Sequence, residues 1–198
     1  MIRSDRDGDV LTLTIDRADK ANSLTADMLA TLADHVEMVD DTTALLILTG
    51  AGDKVFSAGA DLGEARAGLA TSPLWERLSG AIAAIPCLSV AALNGTLAGG
   101  AFGMALACDI RLSVPGASFF YPVAKLGYLP QPSDPARLAR LVGPARAKLI
   151  LAAGARLSAQ EALAFGLVDR VTDDPLAAAR DLAVGQAAHV AAIKAMVP

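Results

Sequence analysis

A single α/β fold with parallel strands is predicted by three observations. Val10 to Ile15 alternates Leu11, Leu13 and Ile15 with Thr12 and Thr14, the period-two pattern of a half-buried strand. Ala44 to Thr49 and Cys87 to Leu93 are denser apolar runs, as strands covered on both faces require. Between these runs lie segments whose apolar residues recur three and four apart, so strands alternate with helices and the connections are right-handed crossovers.

Each helix has a local cause in the sequence. Thr25 can cap a helix that carries Leu29, Leu32, Ala33 and Val36 on one face. Ser72-Pro73 places a cap and a first-turn proline ahead of Leu74, Leu78 and Ile82. Ser158-Ala159-Gln160-Glu161 has capping-box spacing, and Gly166 is placed to end the helix that follows. No internal repeat, composition shift or low-complexity linker divides the 198 residues, which read as one domain over residues 1–198.

Composition narrows the function classes. With 54% hydrophobic and 19% charged residues, the chain is globular and not disordered. A mean hydropathy of +0.45 suggests that part of its surface is covered in a homo-oligomer. The net charge is −4, so no basic field exists to hold nucleic acid or an anionic membrane surface. Strand-like sequence begins soon after Met1, and no apolar run approaches the roughly 20 residues of a membrane span. Neither signal peptide nor anchor is expected, and the location expected is cytoplasmic. Cys87 and Cys108 lie inside apolar segments and read as buried, reduced thiols. No His, Cys and Asp grouping has zinc spacing, so no metal is expected.

The chemistry concentrates in two glycine-bearing segments, Phe56 to Leu62 (Phe-Ser-Ala-Gly-Ala-Asp-Leu) and Asn94 to Asp109. Each follows a strand-like run and leads into a helical one. Each can therefore expose main-chain N–H groups at a strand-to-helix turn, where developing negative charge is stabilised. Gly99 permits close backbone approach, and Gly100 stands at a helix start. The alternative reading is that Gly99 and Gly103, four apart, simply let this helix pack tightly. The Ala98 to Gly103 stretch does not have the G-x-G-x-x-G spacing of a dinucleotide site.

Together the two segments resemble the oxyanion hole of the crotonase, or enoyl-CoA hydratase/isomerase, superfamily. The resemblance extends to Arg17 through Leu24, to Leu126-Gly127 through Gly143, and to Leu157 through Ala162 with Gly166 to Asp169. It implies a crotonase-like ββα spiral core with flanking helices, in trimers or hexamers. The substrate would be an acyl-CoA thioester, with coenzyme A entering as part of it and no separate cofactor. Matched residue by residue, the oxyanion donors would be the amides of Ala58 and Gly100. Lys20, Ala21, Ala60, Asp61, Leu62, Gly99, Gly103, Val123 and Gln131 would border the substrate, and Arg17, Lys20 and Lys54 are candidates for the phosphates. Clp-type proteases share the fold but need Ser, His and Asp together, whereas His35 and His189 sit near opposite ends of the chain.

The sequence departs from the family where proton transfer takes place. Hydratases carry one glutamate at the position of Gly103 and another at that of Val123, and both are missing. Each such group is typically worth roughly 100- to 10,000-fold in rate. An aspartate used by dehalogenase-like and dienoyl-isomerase-like members falls at Gln131 here. Polar residues left near the pocket are Tyr121, Tyr128, Gln131, Ser133 and Asp134, with Ser57 and Glu64 opposite, and Tyr128 and Asp134 are the candidates for a proton role. Pro130, Pro132 and Pro135 stiffen the loop between them and remove N–H donors. The sequence also stops at Pro198, after a single helix-like segment, so the family's C-terminal helices are expected to be largely missing. Two readings stay open: an acyl-CoA enzyme of lyase or isomerase type that is not an efficient standard hydratase, and a non-catalytic protein that binds or senses acyl-CoA.

Overall fold

The computed structural model describes residues 1–197, and Pro198, where the sequence stops, lies outside them. The chain enters as a hairpin in which β1 (Ile2–Asp7) pairs antiparallel with β2 (Val10–Ile15), and Gly8 takes a φ of 60° in the turn. The Thr25 hydroxyl accepts from the Met28 N–H at 3.2 Å and starts α1 (Ala26–Glu37), whose Leu29, Leu32, Ala33 and Val36 are buried.

A strand–strand–helix unit then recurs. Each unit gives a long strand to a six-stranded sheet, a short strand to a four-stranded sheet, and then helix. The first unit is β3 (Leu45–Gly50), β4 (Val55–Ser57), α2 (Leu62–Arg66) and α3 (Leu74–Ala84). The second is β5 (Leu88–Leu93), β6 (Thr96–Ala98) and, after a 3-10 turn at Gly99–Ala101, α4 (Phe102–Ala107). The third is β7 (Ile110–Ser113), β8 (Ser118–Phe120), α5 (Val123–Leu126), α6 (Asp134–Val142) and α7 (Pro144–Leu151). The chain continues through β9 (Arg156–Ser158), α8 (Ala159–Phe165), β10 (Arg170–Val171), α9 (Pro175–Arg180) and α10 (Ala187–Met196). The large sheet has the order β1-β2-β3-β5-β7-β10 and is parallel from β2 onward; the small one has the order β4-β6-β8-β9, with only β9 antiparallel. This is the ββα spiral that the resemblance implies.

Burial explains the dense apolar runs. Leu46 and Leu48 of β3 face the main core, while Leu45 and Ile47 join Val90, Ala92 and Leu112 beneath Ala179 of α9. Both faces of the central strands are covered, so alternation would have left polar groups unpaired in the core. Cys87 and Cys108 are free and buried, and burial pushes their thiols up to about 11 and about 12, so neither ionises near neutral pH.

The Ser158 cap forms as its spacing predicts. Its hydroxyl accepts from the Glu161 N–H at 3.3 Å, the Glu161 carboxylate accepts from the Ser158 N–H at 2.8 Å, and Gly166 closes the helix with φ 80°. Ser158→Ala removes one half of an exposed box and should cost about 1 kcal/mol, read as a lower urea midpoint at unchanged m-value.

Candidate active site

Two backbone segments meet at the end of the small sheet. The loop Arg17–Leu24 runs along the turn after β4 and holds it: the Ala58 N–H donates to Ala21 O at 3.0 Å, the Leu24 N–H to Gly59 O at 2.8 Å, and the Asp61 N–H to Leu24 O at 2.8 Å. The last two bonds make a parallel bridge between Leu24 and Ala60. In that pattern Leu24 uses both of its backbone groups toward this segment, while the N–H and C=O of Ala60 point to the opposite side. Asn22, 1% exposed, secures the loop by donating to Ala51 O at 2.9 Å and Val55 O at 2.7 Å.

The second segment is Ala98 to Gly103. Gly59, with φ 89°, lies so close to it that a Cβ there would stand 3.0 Å from Ala98 O and 3.2 Å from Gly100 N. Gly100 occupies the first turn of the 3-10 and α4 helical stretch, where an N–H has no partner within the helix. Its Cα faces the Trp75 indole, which a Cβ would meet at 3.1 Å.

A cleft of about 320 Å³ opens between the segments, bordered by Ala58, Ala60, Gly99 and Gly100 on the amide side and by Trp75, Tyr121, Val123, Tyr128 and Gln131 on the other. Leu62, Leu126, Tyr128 and Leu129 stand exposed around its mouth, an apolar patch of the kind that receives an apolar ligand. None of the described lining residues is charged. A larger cleft of about 750 Å³, lined by Ile85, Cys108, Arg137 and Lys194 among others, lies elsewhere and is bordered by no residue of Phe56–Leu62 or of Ala98–Gly103.

A family model described as enoyl-CoA hydratase/isomerase matches residues 5–197. The chain belongs to the enoyl-CoA hydratase/isomerase family. It is 37% identical to a crotonyl-CoA hydratase of Syntrophomonas wolfei over 80% of its own length and 64% of that protein's. It is also 37% identical to a carnitinyl-CoA dehydratase of Salmonella enteritidis over 90% of its length and 71% of the relative's. Among solved structures, DspI of Pseudomonas aeruginosa superposes with a TM-score of 0.90 at 33% identity, over 99% of this chain and 85% of that one. The chain thus spans less than two thirds of the length of the Syntrophomonas relative.

Against this family frame, several expected site residues turn out to be committed elsewhere. The Ala58 N–H is already bonded to Ala21 O, so it is not the open donor expected from the sequence; among the described residues no partner is recorded for the N–H of Ala60. Arg17 pairs with Asp61 at 2.8 Å and donates to Ser23, and Asp61 caps α2 by accepting from Gly63 and Glu64. The Arg17 guanidinium holds the Asp61 carboxyl below its ordinary range. Both residues therefore shape the loop and do not border the cleft. Lys20 and Lys54 are exposed and, like Ala21 and Gly103, are not among the cleft's lining. Glu64 accepts from the Ala26 N–H at 2.7 Å, the Ser57 hydroxyl donates to Asn22 O at 2.8 Å, and neither residue is among the cleft's lining. Gln131 lines the cleft but donates its amide to Ala70 O at 3.0 Å.

Tyr128 and Asp134 are not brought together. Tyr128 is 39% exposed at the mouth, whereas Asp134 is fully buried behind the wall. The partner of Asp134 is Tyr121, whose hydroxyl donates to Oδ2 at 2.9 Å and receives the Gln131 N–H at 3.4 Å. Among the described residues Asp134 Oδ1 is buried with no hydrogen-bond partner, and it lies 3.0 Å from where a Cβ on Gly103 would stand. Burial pushes the Asp134 carboxyl up to about 6, opposed by the Tyr121 hydrogen bond. Burial and the neighbouring carboxylate also push the Tyr121 phenol well above its usual value. Sequence reasoning missed Trp75, though its place on the Leu78 and Ile82 face of the helix after Ser72-Pro73 marked it as inward-facing.

Proposed function

We propose that the chain binds an acyl-CoA thioester with its acyl part in the 320 Å³ cleft and its carbonyl oxygen between the amides of Ala60 and Gly100. What carries this reading is that both residues border the cleft and, among the described residues, neither N–H has a hydrogen-bond partner, while the Ala58 amide is spent on Ala21. A carbonyl gaining enolate character needs donors already in place, and backbone amides supply them in an apolar cleft without a buried charge. One such donor is typically worth about 3 kcal/mol of transition-state stabilisation.

The exposed leucines at the mouth suit an apolar acyl chain. Lys20 and Lys54 remain candidates for the phosphates because both are exposed, and Arg17 is withdrawn from that role by Asp61. A second reading, acyl-CoA binding without turnover, is favoured by the lack of any carboxylate among the described lining residues. Calorimetry with a short acyl-CoA, run beside an absorbance assay on crotonyl-CoA and on a 3-enoyl-CoA, tests both. Micromolar binding is expected, with slow or no hydration of crotonyl-CoA. If no acyl-CoA binds, both readings fail.

A further inference from the structure

Building on that reading of the cleft, we infer that Asp134 of α6 is the proton-accepting carboxylate of this site, standing in the volume a side chain at Gly103 would fill and reaching the substrate through the Tyr121 hydroxyl. The geometry has three parts. A Cβ on Gly103 would meet Oδ1 at 3.0 Å and Oδ2 at 3.4 Å, so Gly103 and Asp134 compete for one space, and the carboxylate there comes from α6 because α4 carries glycine. Tyr121 borders the cleft and donates to Oδ2 at 2.9 Å, which makes it, among the described residues, the one hydrogen-bonded link between that carboxylate and the cavity wall. Among the described residues Oδ1 is orphaned in the interior, as is Arg137 Nη1, and an unpartnered buried carboxylate oxygen is a costly feature that a catalytic role accounts for.

The groups facing Asp134 are Tyr121, Glu76 of α3 and Arg137 of its own helix. Glu76 is bonded to the Ser133 N–H and hydroxyl at 3.1 and 2.5 Å and so caps the start of α6. Arg137 makes only a 3.4 Å contact to Ser79 O and does not hydrogen-bond the carboxylate. Asp134 is therefore poised as a base whose negative charge is not neutralised by an ion pair, with a carboxyl raised by burial to about 6.

One carboxylate suffices for a double-bond shift. In a 3-enoyl thioester, the C–H bond at the α carbon breaks and its electron pair moves onto the carbonyl oxygen held by the two amides. The proton passes to the Tyr121 oxygen as the Tyr121 proton passes to Asp134 Oδ2. Return of a proton along the same path to the γ carbon gives the 2-enoyl thioester, with no water, oxidant or reductant consumed. Hydration, in contrast, needs a held water, and Val123 offers no group to hold it.

The test is conversion of a 3-enoyl-CoA to its 2-enoyl isomer, followed by absorbance, with acyl-CoA affinity measured in parallel. Wild type should turn over with a rate that falls below a pH near 6. Asp134→Asn and Tyr121→Phe should each lower kcat by roughly 100-fold or more with affinity changed less than threefold. Gly103→Glu placed on Asp134→Ala should recover at least tenfold of the lost rate, because it returns a carboxylate to the vacated space; a structural role for Asp134 predicts no such rescue. If wild type binds acyl-CoA but does not isomerise it, or if Tyr121→Phe keeps full turnover, the inference is wrong while the binding reading stands. If wild type binds no acyl-CoA, the binding reading is what has failed.

Discussion

Gly59→Ala is expected to cut turnover of an acyl-CoA substrate by 100- to 1,000-fold, the loss typical of one misplaced oxyanion donor. Gly59 has φ 89°, a conformation that costs an alanine about 1 to 2 kcal/mol on its own. The larger effect comes from contact. The new methyl would sit 3.0 Å from Ala98 O, 3.2 Å from Gly100 N and 3.3 Å from Gly99 Cα. All three are backbone atoms of the opposing segment, and unlike the tip of a lysine they cannot swing away. The two segments must part by several tenths of an ångström, and the amides of Ala60 and Gly100 move with them. Gly116→Ala is the control, since its φ is not positive, nothing lies within 4 Å of its added methyl, and it should change stability by less than about 0.5 kcal/mol. Steady-state kinetics and urea denaturation on the pair decide the matter. Wild-type kcat in Gly59→Ala would mean that the reaction does not depend on the spacing of these amides.

How much of this was legible in the sequence depends on the range of the interaction that decides it. The Thr25 cap, the Ser158–Glu161 box and the Gly166 stop are settled within four residues, and each forms as read. The coverage of β3 and β5 on both faces shows in their unbroken apolar runs. The division into two sheets does not show, because Val55–Ser57, Thr96–Ala98 and Ser118–Phe120 are three residues each, too short for any period to emerge. At the site, the motif Phe56 to Leu62 points to a segment that borders the cleft but not to which of its N–H groups is left open. Choosing Ala60 over Ala58 depends on bonds to Ala21 and Leu24, more than thirty residues away in the chain. The same limit applies to Arg17 and Asp61, each plausible alone near a phosphate but paired with one another across 44 positions. Asp134 was visible as a carboxylate, yet its burial, its bond to Tyr121 and its place over Gly103 all arise from packing of α6 on α4 and on the segment after β8.

Asp134 also sets a pH dependence of stability whose sign separates a functional from a structural carboxylate. Its ordinary value is 3.8 and its folded value about 6, raised chiefly by burial. Between these limits the native state keeps a proton that the unfolded chain has lost, so stability falls as pH rises from about 4 to about 7, by about 3 kcal/mol from this group. The exposed carboxyls of Glu37, Asp40 and Glu161 and the half-buried one of Asp61 are held below their ordinary values, so what they contribute is fully present above about 4.5 and is lost only as pH falls further. The window from about 4.5 to 7 therefore isolates Asp134. Asp134→Asn should remove this decline and leave the protein at pH 8 as stable as wild type or more so, because a charge buried against its solvation energy is gone and Tyr121 keeps an acceptor in the asparagine carbonyl. Tyr121→Phe removes a hydrogen bond that favours the ionised form, so the midpoint of the decline should move to higher pH. Urea unfolding at several pH values reads all three proteins. A structural partner of Arg137 would behave in the opposite way, since its loss would weaken the fold at pH 8, and that result would remove Asp134 from the proton-transfer role.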